Sequence, residues 1–123
     1  MQQSPRSRRR PSPPSRRAPK ALAQANRVTV SGRLIELDAL RHTPAGVPVL
    51  KFRLQHDSLQ TEAGGERKVN CEIAAVAFER EAKLLAAAKL GSSVRVNGFL
   101  AAKSRSSRTL LLHATQIEFA EGE

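Results

Sequence analysis

Three cations lie within six residues near the C-terminal end of the chain, in the run Lys103-Ser104-Arg105-Ser106-Ser107-Arg108, which contains no acid. Cations without a counter-charge attract an anionic partner. Such a run is more often a solvated loop that only adds charge to the surface. Here two apolar segments, 94–101 and 110–113, flank the run and would hold all three cations at one place. Because serine favours turns, the pattern predicts a hairpin with an anion-binding tip.

The residues that could support catalysis or metal binding are scattered. Cys71, the single cysteine, excludes an internal disulfide and fits a reducing compartment; it falls in an apolar register without a basic neighbour, so we expect a buried, unreactive thiol. His42, His56 and His113 lie on three different elements, with no cysteine or carboxylate at metal-ligand spacing. Phosphate-binding glycine loops and nucleophile motifs are absent from the sequence. We therefore expect no metal, no cofactor and no enzymatic activity.

Alternation of apolar and polar side chains predicts the strands that position the basic loop. The predicted strands are 28–40, 47–55, 68–76, 94–100 and 109–119. Between the third and fourth, the alanine-rich segment from Phe78 to Leu90 has helical spacing and stops at Gly91, a suitable C-terminal glycine. We expect the rings of Phe52, Phe78 and Phe119 to lie in the core.

Two glycines inside predicted strands should mark irregularities. Gly32 interrupts the first strand, where a glycine commonly indicates a bulge or a sharp bend. Asn97-Gly98 is a strong signal for a two-residue hairpin turn. The five-strand order, together with the family resemblance described below, instead makes it a bend inside the fourth strand.

The order of three strands, a helix and two further strands predicts an all-β fold with little helix. It describes the five-stranded Greek-key barrel called the OB-fold, with its one helix between strands three and four. We assign this domain to residues 26–120 and leave 121–123 as a C-terminal tail. In such a barrel, the loop between strands four and five borders the face that binds oligonucleotides.

Residues 1–25 differ from the rest of the chain in composition. They hold seven of the 21 cations, five of the seven prolines and no acid, so the net charge of +10 divides into +7 here and +3 in residues 26–123. Such a segment buries too little apolar surface to fold, and we expect a disordered tail. It would add sequence-independent affinity for nucleic acid by counterion release. A solubilising tail and an artefact of the assigned translation start remain open.

Targeting signals are weak. The sequence contains no run near the roughly 20 apolar residues of a membrane span and no apolar segment typical of a secretory signal. An arginine- and serine-rich beginning is also typical of organellar transit peptides, but its prolines oppose the required amphipathic helix. We expect a soluble, cytoplasmic protein without membrane contact.

Several short segments together resemble the PriB family of bacterial primosomal replication proteins, also called primosomal replication protein N. These segments are 26–32, 58–60, 62–64, 96–99, 112–114 and 116–118. Single-stranded DNA-binding protein is the neighbouring family with the same fold. The resemblance implies a homodimer of OB-folds without catalytic activity that binds single-stranded DNA. It further implies a part in restarting stalled replication forks by bridging the helicase PriA, the loader protein DnaT and the DNA.

The resemblance also implies which residues contact nucleic acid. In the loop between strands four and five these are Lys103, Arg105 and Arg108. Weaker correspondences are Arg27 and Arg33 on the first strand and Arg67 near the third.

One departure from the family concerns base stacking. Where the family carries aromatic residues, around the loop before strand three and within that strand, this chain has Gly65 and Asn70. Phe99 is the one aromatic side chain that we expect to be free to stack on a base, with core packing as its alternative. Since stacking contributes roughly 1 to 3 kcal/mol per base, its loss should weaken binding and increase its dependence on phosphate contacts.

Two other functions stay open at this point. The missing aromatic residues also fit a mainly protein-binding adaptor of the restart helicase, for which DNA contact is incidental. A general OB module for single-stranded DNA or RNA is the second alternative.

Overall fold

Six β-strands and one helix make up the part of the chain that the computed structural model describes, residues 23–120. The elements are β1 (Val28–Leu37), β2 (Arg41–His42), β3 (Pro48–Glu62), β4 (Gly65–Phe78), α1 (Glu79–Ala86), β5 (Ser93–Ala102) and β6 (Leu110–Phe119). The five long strands and the helix follow the predicted order, and β2 is a two-residue addition that pairs with the start of β3. The predicted tails fall outside the described residues, except for positions 23–25.

The strands form one closed sheet. Its order is β1-β5-β6-β4-β3-β2, and a further pairing of β1 with β3 joins the two sides into a barrel. Neighbours are antiparallel, except that β4 and β6 run parallel. A closed barrel of five long strands with a helix between β4 and β5 confirms the predicted OB-fold. The helix of the described range is too short to cross a membrane.

The barrel interior is filled by the predicted apolar faces. Leu50, Phe52 and Leu54 of β3 are buried, while the residues between them point outward. Ala82 and Leu85 of α1 join the same core cluster, so the helix covers one end of the barrel. Full burial of a leucine or valine contributes about 1.5 to 3 kcal/mol, which makes this alternation the main source of stability.

Glycine allows close contact between strands at two places. At Gly98, the register between β5 and β6 shifts, and an added Cβ would overlap the carbonyl of His113; this confirms the predicted bend. At Gly32, pairing with β5 continues without interruption, and the bulge of β1 lies between Leu34 and Glu36 instead. The sequence predicts a bulge or a sharp bend at Gly32, and of these two the bulge was wrong. A Cβ there would lie 2.7 Å from the carbonyl oxygen of Gln55, which explains the glycine.

The helix is shorter than its alanine-rich sequence predicts. Phe78 is extended and still pairs with Val49, so α1 begins one residue later than expected. At the other end, α1 stops at Ala86, because the N–H of Gly91 donates a 2.7 Å hydrogen bond to the carbonyl of Leu34. Tertiary docking of this segment onto β1 thus overrides its helical propensity.

Strands β3 and β4 continue beyond the barrel as a two-stranded hairpin, which we call the projecting hairpin (residues 56–72). The last pair between β3 and β1 is Gln55 with Arg33, and after it β3 pairs only with β4. Ala63 and Gly64 form its two-residue turn, with φ of 53° and 80°. The predicted loop before strand three is therefore mostly strand.

Burial was wrongly predicted for three residues. Cys71 lies in the projecting hairpin opposite His56 and is exposed, since no other layer covers this part of β4. Phe78 and Phe119 are 38% and 39% exposed. Each lies at the end of its strand, Phe78 on the outer face of the barrel and Phe119 on the face of buried Val94, with which it pairs.

The exposure of Cys71 has a direct test. We expect the folded protein to react with a chromogenic disulfide reagent at nearly the rate of the urea-denatured chain, because no layer shields the thiol. The measurement compares the two rates by absorbance. A native rate lower by orders of magnitude would contradict the exposed position.

Candidate nucleic-acid interface

The loop between β5 and β6, residues 103–109, is closed by its own backbone. The N–H of Lys103 donates to the carbonyl of Thr109 over 2.8 Å, and within the loop the N–H of Ser107 donates to the carbonyl of Ser104 over 3.1 Å. The hydroxyl of Ser107 accepts a 3.0 Å hydrogen bond from the N–H of Thr109. Ser104 and Ser107 therefore make the hydrogen bonds that stabilise the turn. The three basic side chains remain available to contact a ligand.

The charges of this loop are not compensated within the described structure. Lys103, Arg105 and Arg108 are exposed, and none of them forms an ion pair with an acidic side chain of residues 23–120. By contrast, Arg53 lies 3.3 Å from Glu36. The loop thus concentrates three free cations on one short segment, which is the electrostatic footprint of an anion-binding surface.

A groove of about 630 Å³ runs beside the loop on the outer surface of the barrel. Lys103 and Thr109 form one edge, Lys51 comes from β3, and the side chains of Leu110 and Leu111 line it from β6. The groove therefore combines cations at its edge with apolar surface inside, and the acidic residues Glu36 and Asp38 also line it. Sequence reasoning missed Lys51, because alternation places it on the outer face without showing which part of that face adjoins the loop.

The other predicted contact residues are spread over the surface. Arg27 comes just before β1, where the side-chain amide of Asn26 bonds both the N–H and the carbonyl of Leu100, over 2.9 and 2.8 Å. Arg33 pairs with Ser93, nine residues and about 30 Å along β5 from its loop end. The structure therefore places Arg27 near the loop and Arg33 far from it.

Arg67 lies in the projecting hairpin and forms a 3.1 Å ion pair with Glu62. This pairing offsets its charge, although exposed pairs contribute little to stability. Gly65 and Asn70 are exposed in the same hairpin. The hairpin therefore presents no phenylalanine, tyrosine or tryptophan ring, and the imidazole of His56 at its base is held by the carbonyl of Ser31.

Phe99 belongs to a row of three rings. Its ring stacks on His113 with centroids 5.0 Å apart and an interplanar angle of 12°, and His113 stacks on Phe78 at 6.0 Å and 19°. Phe99 is 38% exposed, so the core packing considered as its alternative does not occur. The contact between Phe99 and His113 was predictable from the sequence, because the two residues lie on the two strands of the predicted hairpin. The contact with Phe78 was not, since its position depends on the parallel pairing of β4 with β6.

Residues 23–120 contain no group of three histidine, cysteine, aspartate or glutamate side chains that could hold a metal ion. The arrangement of cations, apolar groove and exposed rings is suited to binding an extended anion.

The chain is similar to a family of single-strand binding proteins and to replication restart proteins. A model described as "Another single-strand binding protein family" matches residues 26–116. Replication restart protein PriB of Bordetella pertussis is 44% identical over 91 residues, which cover 74% of this chain and 85% of that protein. PriB of Nitrosomonas europaea is 38% identical over 95 residues, or 77% and 88% of the two chains.

Solved structures give the same result. PriB from Ralstonia solanacearum matches with a TM-score of 0.71 and 30% identity, over 77% of this chain and 97% of that one. The single-stranded DNA-binding protein from Thermus aquaticus matches with a TM-score of 0.64 over 80% of this chain and 52% of its own. At 24% identity, this second likeness shows the fold alone.

Proposed function

Because the chain belongs to the PriB family of replication restart proteins, we propose that it binds single-stranded DNA during replication restart, with the β5 to β6 loop and the adjacent groove as its binding site. The observation that carries this proposal is the loop beside an open groove, whose three cations, Lys103, Arg105 and Arg108, form no ion pair with an acid of residues 23–120. OB-folds bind oligonucleotides at this place. The proposal assigns no catalytic role, and its place of action is the bacterial cytoplasm.

The chemistry of the loop supports a backbone-directed mode of binding. Each cation that contacts a phosphate releases condensed counterions, and for single strands the logarithm of the affinity falls with the logarithm of salt by about 0.7 per contact. A flexible single strand can bring successive phosphates to Lys103, Arg105 and Arg108, while a base contacts the leucines of the groove. Such contacts fix the position of the strand without reading its sequence.

We also propose the assembly that the family implies: a homodimer that bridges the helicase PriA, the loader protein DnaT and DNA. An unpaired strand edge supports a dimer. Residues 28–30 of β1 pair with β5 on one side, and on the other side no strand of the described range pairs with them. Ser31 differs, because its carbonyl accepts a 2.7 Å hydrogen bond from the His56 ring. Such an edge is suited to pairing with a second copy.

A mainly protein-binding adaptor is the second candidate function. It is favoured by the projecting hairpin, which carries no phenylalanine, tyrosine or tryptophan side chain that could stack on DNA. For an adaptor, substitutions in the basic loop would abolish binding to the helicase and change little in an already weak DNA affinity.

The main proposal predicts tight and salt-dependent binding to single strands. We expect fluorescence anisotropy with the full chain to show higher affinity for a single-stranded DNA oligonucleotide than for its duplex, because a single strand can enter the groove. A salt series with single-stranded DNA, duplex and RNA of one sequence makes the measurement. Equal affinity for single strand and duplex would contradict the proposal, and preference for RNA would indicate an RNA-binding module.

A further inference from the structure

Two of the three stacked rings, His113 and Phe99, belong to a longer row across the barrel, and Phe78 lies beside this row on β4. Lys51 pairs with Val76, Val76 with His113, and His113 with Phe99, through β3, β4, β6 and β5 in turn. Residues at paired positions point to the same face of a sheet. Val76 is only 3% exposed but is not part of the interior cluster that includes its neighbours Ala75 and Ala77. Val76 thus lies on the outer face, beneath the side chains of this row.

The row continues to a second cation. Val28 pairs with Gly98, and the amide of Asn26 is held on the backbone of Leu100, so Arg27 between them stands opposite Phe99. Arg27 is exposed and forms no ion pair with an acidic side chain of residues 23–120. From Lys51 to Arg27 the row crosses four strand spacings, about 19 Å.

The rings leave room for a ligand on their faces. Nearly parallel planes with centroids 5.0 and 6.0 Å apart overlap only partly, so each ring presents part of its face to solvent. Phenylalanine and histidine rings are among the side chains on which unpaired bases stack. Cations at both ends of the row would meet the phosphates on either side of a stacked base.

We propose that Phe78, His113 and Phe99 form a base-stacking site, the aromatic strip, which extends the DNA path from the groove across β4, β6 and β5. The strip adjoins the groove, because Leu111 in the groove wall is two residues, about 7 Å, from His113. It supplies aromatic surface on a face different from the projecting hairpin, where the family pattern would place it. This inference rests on the proposed binding of single-stranded DNA.

Phe99→Leu in the full chain tests the strip, since leucine keeps apolar volume and removes the ring. We expect the affinity for a thymidine oligonucleotide to fall about 5- to 150-fold, as for the loss of one stacked base. The salt slope should stay unchanged, because no phosphate contact is lost. An adenine analogue whose fluorescence is quenched by stacking should show less quenching with the variant than with the native chain.

Phe119→Leu is the matched control. Phe119 is 39% exposed, nearly the same as Phe99, but it pairs with Val94 at the opposite end of β5. We expect its affinity to stay within twofold of the native chain. Phe99→Trp separates stacking from stability: a larger ring should keep or increase affinity, and thermal unfolding verifies that each variant is folded.

The outcomes separate this inference from the proposed function. If Phe99→Leu binds like the native chain while neutralising the basic loop weakens binding, the strip is refuted and the proposed function stands. Equal losses in Phe99→Leu and Phe119→Leu would also refute it. If the native chain does not bind single-stranded DNA, both proposals fail.

Discussion

Simultaneous replacement of Lys103, Arg105 and Arg108 by alanine is expected to lower the affinity for single-stranded DNA about 50-fold at roughly 0.15 M salt, on counterion release alone. The three side chains are exposed and form no ion pairs with acids of the described range, so their full charge is available to phosphates. The slope of the logarithm of affinity against the logarithm of salt should decrease by about 2, at about 0.7 per contact. A salt series of fluorescence anisotropy measures both quantities.

The matched control removes the same charge elsewhere. Lys68, Lys83 and Lys89 are exposed, form no ion pairs with acids of residues 23–120, and lie outside the loop. Their replacement by alanine also lowers the net charge of +10 by three. We expect the control variant to change the salt slope by less than half as much as the loop variant. Its three lysines attract DNA only through their contribution to the net charge and make no defined phosphate contacts. Equal effects of the two triple variants would show that total charge, rather than the loop, determines binding.

The position of the basic loop was predictable because local sequence determines it. Six consecutive polar residues cannot continue the apolar alternation of β5, and the serines among them supply hydrogen bonds that close a turn. Lys51 was not predictable as a groove residue. It lies 52 positions before Lys103, and only closure of the barrel brings both to one groove.

Burial was predicted less well than strand direction, and the reason is physical. Alternation shows which residues share a face, but not whether another layer covers that face. Cys71 has the apolar register of an interior residue, yet it lies where β3 and β4 extend past the barrel. Phe78 was assigned to the apolar side of the predicted helix, but it ends β4 on the outer face of the barrel, where it is 38% exposed. The first error comes from the length of the strands relative to the barrel and the second from the boundary between β4 and α1, and both depend on non-local pairing.

The structure changes the conclusion drawn from Gly65 and Asn70, which stand where the family has aromatic residues. From the sequence, these two residues indicated binding mainly through charge. The rings of Phe78 and Phe99 were assigned separately, one to the core and one to the surface, since they are 21 positions apart in the sequence. Parallel pairing of β4 with β6 places His113 between them and joins all three into one exposed row. The sequence thus contained the ring types, but not their arrangement.

Gly98→Ala is expected to destabilise the fold by more than about 3 kcal/mol, beyond the usual range for overpacking. An added Cβ would overlap the carbonyl oxygen of His113 and lie 2.9 Å from its carbonyl carbon and 3.2 Å from the Cα of Ala114. These are backbone atoms of the paired strand, so no side-chain rotation relieves the contact. Either the bulge between β5 and β6 shifts or the strands separate. Urea unfolding of the variant and the native chain measures the difference in the free energy of unfolding.

Alanine substitutions at two other glycines provide a comparison for the destabilisation expected from Gly98→Ala. At Gly32, a Cβ would lie 2.7 Å from the carbonyl oxygen of Gln55, so Gly32→Ala should destabilise by an intermediate amount. At Gly65, the nearest atom is 4.0 Å away, and alanine should change stability by less than about 0.5 kcal/mol. If Gly98→Ala changed the free energy of unfolding as little as Gly65→Ala does, that result would contradict the close approach of β5 to β6. That approach also sets the 5.0 Å stacking of Phe99 on His113, so a folded Gly98→Ala variant should bind DNA as weakly as Phe99→Leu.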